Sequence, residues 1–209
     1  MKYIWEYDWF FIPTAAFFGF CSVMAILVPY SHEILFFNDL RYEPFNSIFS
    51  FFTRGGEVWA YFLFGLVAIF WRPRYAFIIA LMGLVTIPLM YLLKDAIGVD
   101  RPITYFEKRV DLAKIILVPS VIMNRGQTSF PSGHTMAAFA LFSLLTLMVG
   151  SRYARMGLFF ALLAILVGIS RVFLAQHFLV DVLGGAVLGL MLSGLVWRVS
   201  AKFLPQIKQ

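Results

Sequence analysis

Residues 75–93 run for 19 positions without a charged side chain. As a helix, such a run covers about 28 Å, close to the roughly 30 Å hydrocarbon core of a bilayer. Apolar stretches also occupy residues 10–28, 58–71, 135–150, 156–169 and 178–197. The chain is 61% hydrophobic and only 13% charged, with a mean hydropathy of +0.85. Soluble domains are about 45–50% apolar and about 25% charged. The pattern predicts an all-α, polytopic membrane protein: a six-transmembrane-helix bundle forming a single domain over residues 1–209.

Trp5, Trp9 and Tyr30 flank the first run as interface anchors, and Pro13 falls near its start, where a helix tolerates proline. The run lacks a small-residue cleavage site and reads as a retained helix, not a signal peptide. Cys21 is the lone cysteine, so no intrachain disulfide can form, and it reads as a small core residue. Residues 31–57 are too charged to span and read as one or two interfacial helices whose Phe side chains dip into lipid. The run at 58–71 is short, so its helix is expected to begin near Gly55 or Gly56. Arg72-Pro73-Arg74 is a tight turn, and Pro88 is a candidate kink. Residues 94–130 form the longest connection, within which 114–123 is a candidate hairpin or membrane-surface flap. Gly185 and Gly189, on the Asp181 side of the last run, would let a neighbouring helix approach closely.

The net charge of +6 is spread among apolar runs, which points away from nucleic acid. With six spans, one side carries Lys2, Arg72, Arg74, Arg152, Arg155, Arg198, Lys202 and Lys208 against Glu6 and Asp8, a net +6. The other side carries nine bases and nine acids. The positive-inside rule then puts both termini in the cytoplasm and everything between alternate spans outside.

Three stretches on that outer side carry chemistry. Lys94 and Arg101 are two bases seven apart at a helix end. Pro131-Ser132-Gly133-His134 opens a helix, where backbone N–H groups and the dipole favour an anion. Ser170-Arg171 and His177…Asp181 lie between the last two runs. Four residues apart, His177 and Asp181 would share a helical face, with the carboxylate accepting Nδ1–H and leaving Nε2 free to attack. Singly, each has a plainer reading: snorkelling cations, an N-cap serine, a buried polar pair. No HExxH motif or cysteine cluster suggests a metal site, and no cofactor is called for.

Together these stretches resemble the type-2 phosphatidic acid phosphatase superfamily. Its signature is Lys, six residues, Arg-Pro; then Pro-Ser-Gly-His; then Ser-Arg, five residues, His, three residues, Asp. Lys94…Arg101-Pro102, Pro131 to His134, and Ser170-Arg171…His177…Asp181 match in order. The match runs from the third span to the sixth, while residues 1–74 agree only in general layout. The resemblance implies a metal-independent membrane phosphatase with a phosphohistidine intermediate. His177 would be the nucleophile, Asp181 its orienter and His134 the general acid, then base. Lys94, Arg101, Ser132, Gly133 and Arg171 would hold the phosphate.

Soluble vanadium haloperoxidases share this signature, but six spans and small size argue against one here. By analogy with small bacterial relatives, the substrate would be a lipid phosphate or diphosphate at the outer face of the cytoplasmic membrane. Undecaprenyl diphosphate is favoured, followed by phosphatidylglycerol phosphate or phosphatidic acid, then lipid A. A phosphotransferase using the same site remains an alternative, as does a non-catalytic scaffold or transporter. The intact site argues against a scaffold. Polar residues at one end of the helices, not mid-membrane, argue against a transporter. Oligomeric state is not legible.

Overall fold

The computed structural model describes residues 7–119 and 121–203. Trp5, Lys2, Glu6 and Lys208, used above as an anchor and in the charge balance, lie outside them. Among the described residues nine α-helices follow in order: α1 (Asp8–Leu27), α2 (His32–Leu35), α3 (Phe45–Phe52), α4 (Val58–Trp71), α5 (Pro73–Ile97), α6 (Pro102–Arg109), α7 (Gly133–Val149), α8 (Met156–Phe173) and α9 (Leu179–Phe203). Of these, α1, α5, α8 and α9 are long and apolar enough to cross a membrane. α4 and α7 are shorter apolar helices of 14 and 17 residues. They measure about 21 and 26 Å.

Local chemistry sets the boundaries. Pro73 occupies the first turn of α5, where its missing N–H costs nothing, and Arg72 before it is extended. Gly98 ends α5 with φ +63°, a left-handed cap. The helix therefore outlasts the charge-free run and carries Lys94 on its last turn. Likewise α8 runs past residue 169 to include Ser170 and Arg171.

α7 is the core helix. Thirteen of its seventeen residues are buried, which places it inside the bundle, packed chiefly against α9 and α8. A helix covered on all sides need not match the bilayer in length, because protein faces it instead of lipid. Its backbone touches that of α9 closely. A Cβ added at Gly185 would lie 2.5 Å from the Ser132 carbonyl oxygen, and one at Gly189 2.5 Å from that of Met136. The four-residue spacing on one helix thus meets the same spacing on the other.

The described residues of the 114–123 segment form no hairpin. The described residues contain no named strand, only an isolated Val99–Thr128 bridge. Side chains take the carbonyls that a partner strand would have used. Asn38 Nδ2 donates to Lys114, Arg41 Nη1 to Ile116 and Gln176 Nε2 to Ile122. Arg41 also donates from Nε to the Phe173 carbonyl at 2.7 Å, from Nη1 to Asn38 Oδ1 at 2.6 Å, and from Nη2 to the Ile34 carbonyl at 3.0 Å. Burial lowers this guanidinium to about 10, still protonated near neutrality. It fastens the C-terminal end of α8 to two loops distant in sequence.

Gly189→Ala is expected to cost about 1–3 kcal/mol through overpacking. Thermal unfolding in detergent should show a lowered midpoint. Gly194→Ala on the same helix, where no atom lies within 4 Å, should leave it unchanged.

Candidate active site

Helix ends build the site. Lys94 comes from the last turn of α5 and Arg101 from the residue capping α6. Gly133 and His134 begin α7, and Arg171 is in the last turn of α8. His177 sits in the turn before α9. These six residues line one cavity of about 310 Å³, although up to 83 residues separate them in sequence.

His177 departs from the expected geometry. α9 begins at Leu179, so His177 does not share a helical face with Asp181. Phe178 caps the helix instead, and Asp181 reaches back to accept its N–H at 2.9 Å, half of a capping box. The same Oδ2 accepts from Ser129 Oγ at 2.6 Å and faces His177 Nδ1 at 3.4 Å. Asp181 is therefore locked by Ser129 and Phe178 first, and meets the imidazole at the long end of hydrogen bonding. Nε2 of His177 lies 3.4 Å from Arg101 Nη1. A guanidinium can only donate, so Nε2 must be the unprotonated nitrogen and Nδ1 the protonated one facing Asp181. Burial holds the His177 pKa well below the usual imidazole value, and Arg171, Arg101 and Lys94 lower it further. The ring is neutral, with a lone pair directed at the cationic wall.

The cations are held by neutral oxygens. Lys94 Nζ donates to the Thr128 carbonyl at 2.8 Å. Arg101 donates to Thr128 Oγ1 at 3.3 Å and to the Gln176 carbonyl at 3.2 Å. Arg171 Nη1 donates to Thr53 Oγ1 at 2.6 Å, and its buried Nε has no hydrogen-bond partner among the described residues. Buried donors ordinarily find an acceptor, and this wall has donors to spare for an oxyanion.

Ser132 stands apart from the expected set. Its hydroxyl is fully buried, 2.8 Å from Thr135 Oγ1, and does not line the cavity. Its N–H donates to the Asp181 carbonyl at 3.0 Å, tying the start of α7 to the start of α9. Asp181 is likewise absent from the cavity lining.

Two contacts escaped the sequence reading, both from the turn at Thr53–Gly56 and its next residue. Thr53 meets Arg171, and Glu57 Oε1 lies 3.8 Å from His134 Nε2. Gly56 is required there, since a Cβ would collide with the His134 carbonyl. The signal was the Gly55-Gly56-Glu57 run: two glycines for close approach, then an acid opening an apolar helix. Ser129 and Gln176 were missed as well, being ordinary loop residues in sequence.

A second cavity of about 280 Å³ shares Met90, Tyr91, Gly133 and His134 with the first. It runs between α4, α5 and α7 along Val58, Tyr61, Ile87 and Ala137. Val58, Ile87 and Tyr91 on its rim are exposed.

Comparison with known proteins bears on the family and the fold. "Phosphatidylglycerophosphatase B" of Bacillus subtilis (strain 168) is 40% identical over 82 residues, covering 36% of this chain and 40% of that protein. "Undecaprenyl-diphosphatase BcrC" of the same organism is 32% identical over 103 residues, covering 49% of this chain and 50% of that protein. The chain thus spans half or less of the curated relatives it matches. A crystal structure of the transmembrane PAP2 type phosphatidylglycerolphosphate phosphatase from Bacillus subtilis superposes with a TM-score of 0.64 at 25% identity, covering 90% of this chain and 96% of that one. The fold of Aquifex aeolicus LpxE also superposes with a TM-score of 0.64, at 22% identity, covering 79% and 92% of the two chains. A family model, the PAP2 superfamily, matches residues 72–205. That interval contains every residue of the three motifs, from Lys94 to Asp181, and the chain belongs to the PAP2 superfamily.

Proposed function

We propose that this chain is an integral membrane lipid phosphatase that cleaves a lipid phosphate or diphosphate through a phosphohistidine on His177. One observation carries the reading. The cationic cavity around His177 Nε2 continues, at His134, into an apolar groove with exposed aliphatic residues on its rim. A phosphate suits the first and a hydrocarbon chain the second, so the pair fits an amphiphile. In this reading α4 and α7 cross the membrane with the four longer helices, making six spans in one domain. The charge asymmetry supports cytoplasmic termini and a site at the outer face of a bacterial cytoplasmic membrane.

The chemistry follows from the geometry. His177 Nε2 forms a bond to phosphorus as the lipid oxygen leaves, and His134 gives that oxygen its proton. Lys94, Arg101, Arg171 and the Gly133 N–H hold the charge spread over the equatorial oxygens. Ser132 contributes through the helix start it caps, its hydroxyl being turned to Thr135. Water then attacks phosphorus, His134 takes its proton, and the N–P bond breaks to free inorganic phosphate. Asp181 holds the Nδ1 proton in both steps. Undecaprenyl diphosphate is the favoured substrate, with phosphatidylglycerol phosphate and phosphatidic acid behind it; one relative's name supports the first and another's the second.

Purified protein should release phosphate from a panel of lipid phosphates and diphosphates, with a preference for one. Because the donors are protein groups, activity should survive EDTA, and vanadate should inhibit. Loss in EDTA with recovery on adding Mg²⁺ would refute the mechanism.

Asp181→Asn keeps an acceptor for the Phe178 N–H but loses the charge facing Nδ1. The analogous change in serine proteases costs about 10⁴ in kcat. Here no proton leaves the nucleophile, so the loss should be smaller, on the order of 10² in steady-state kcat. Near-normal turnover would rule out this role.

His134→Ala should nearly abolish cleavage of a lipid monophosphate, whose alkoxide needs a proton to leave. With a lipid diphosphate the leaving group is a weakly basic phosphate, so attack should partly survive while hydrolysis stalls. Rapid quench with radiolabelled diphosphate should then find acid-labile, base-stable label on the protein and a roughly stoichiometric burst of lipid monophosphate. Equal loss on both substrates without label would contradict the assignment of His134.

A further inference from the structure

We infer that Glu57 is a positioning residue that works through His134, holding its ring oriented to protonate the leaving oxygen. The inference rests on the proposed phosphatase reading and extends it to a segment that the three motifs leave out. Its ground is an acid set against a histidine of the phosphate cavity from outside that cavity, whose own lining holds a single acid, Asp95, among the described residues. Lys94, Arg101 and Arg171 surround the cavity, and all three repel a protonated His134. Glu57 Oε1, at 3.8 Å from His134 Nε2, is the one carboxylate paired with that ring among the described residues. Asp181, the buried acid nearby, is committed to Ser129, Phe178 and His177.

Glu57 also stands on the correct side. It lines the apolar groove and not the cationic cavity, whereas His134 lines both. Apart from His134 it is the only acid or base lining that groove among the described residues. A carboxylate there gains nothing from packing against Val58, Tyr61 and Ala137. A lipid whose chain occupies the groove would bring its bridging oxygen past His134, between chain and phosphorus. Glu57 then sits behind the proton donor, away from the phosphate oxygens it would otherwise repel.

The backbone holds this arrangement closely. Glu57 follows Gly56, whose absent side chain lets the turn press on the His134 carbonyl. Thr53, at the start of the same turn, accepts from Arg171 Nη1 at 2.6 Å. One short turn thus braces a phosphate-side cation and the proton donor together.

The two steps ask different things of the carboxylate. Leaving-group departure needs the charged ring: as the P–O bond breaks, its proton passes to the lipid oxygen and the ring becomes neutral. Phosphohistidine hydrolysis starts from the neutral ring, which takes a proton from water as the N–P bond breaks. Loss of the carboxylate should therefore impair departure of a strongly basic leaving group and spare a weakly basic one.

The test uses the full chain in proteoliposomes, as wild type, Glu57→Gln and Glu57→Asp. The probes are phosphatidic acid, whose leaving group is an alkoxide, and farnesyl diphosphate, whose leaving group is a phosphate monoester. For Glu57→Gln, kcat on phosphatidic acid should fall about 10-fold or more, with KM little changed. The loss on farnesyl diphosphate should be several times smaller, which also reports that the variant is folded. Glu57→Asp should recover much of the lost rate. Equal fractional loss on both probes, or a change confined to KM, would overturn the role of Glu57 and leave the phosphatase reading standing. A wild type that releases phosphate from no lipid phosphate or diphosphate would overturn that reading and this inference with it.

Discussion

The backbone contact between α7 and α9 sets the geometry of the end of the bundle that carries the site. Gly185 and Gly189 let the two helices meet without intervening side chains, and the Ser132 N–H seals the contact on the Asp181 carbonyl at 3.0 Å. His134 lies two residues beyond Ser132 on one helix, and His177 four residues before Asp181 at the head of the other. Their separation is thus governed by main chain, the least adjustable part of the structure. Larger side chains at the glycines would have set this spacing through rotamers, which shift more readily.

Around that frame, charge is used in an unusual way. Lys94, Arg101 and Arg171 are 7%, 7% and 5% exposed, and burying three like charges together is costly. A structural ion network would neutralise them with acids. Here their hydrogen bonds go to a threonine carbonyl, two threonine hydroxyls and a glutamine carbonyl. Those partners solvate each cation without cancelling it. The site keeps its positive potential, and the cost of assembling it is offset only when an anion is present.

Much of this arrangement was legible in the sequence. Charge-free runs located the helices, and the Lys94, Pro131 and Ser170 stretches named the residues now found around one cavity. The errors came where tertiary contacts outrank local pattern. Residues 114–123 look β-rich, but Asn38, Arg41 and Gln176 claim their carbonyls. His177 and Asp181 have helical spacing, but Asp181 is needed as a cap for Phe178, so the helix starts after the histidine. Ser132 reads as a phosphate donor, and its hydroxyl lies buried 2.8 Å from that of Thr135, one turn on. Glu57 follows a glycine pair that marks a close approach but not what it approaches. Its meaning depends on a contact with His134, 77 residues away, which no local window contains.

The groove between α4 and α5 has a consequence for how encounters are counted. At the end of the bundle, Arg41 and Gln176 fasten loops beside the end of α8 and the start of α9. The exposed rim at Val58, Ile87 and Tyr91 faces sideways, along the walls of the helices. A ligand arriving by that rim is already dissolved in the bilayer and searches in two dimensions. Its effective concentration is then a number per unit area. Adding inert lipid or detergent at constant bulk concentration would dilute it, and occupancy of the site would follow the mole fraction in the membrane.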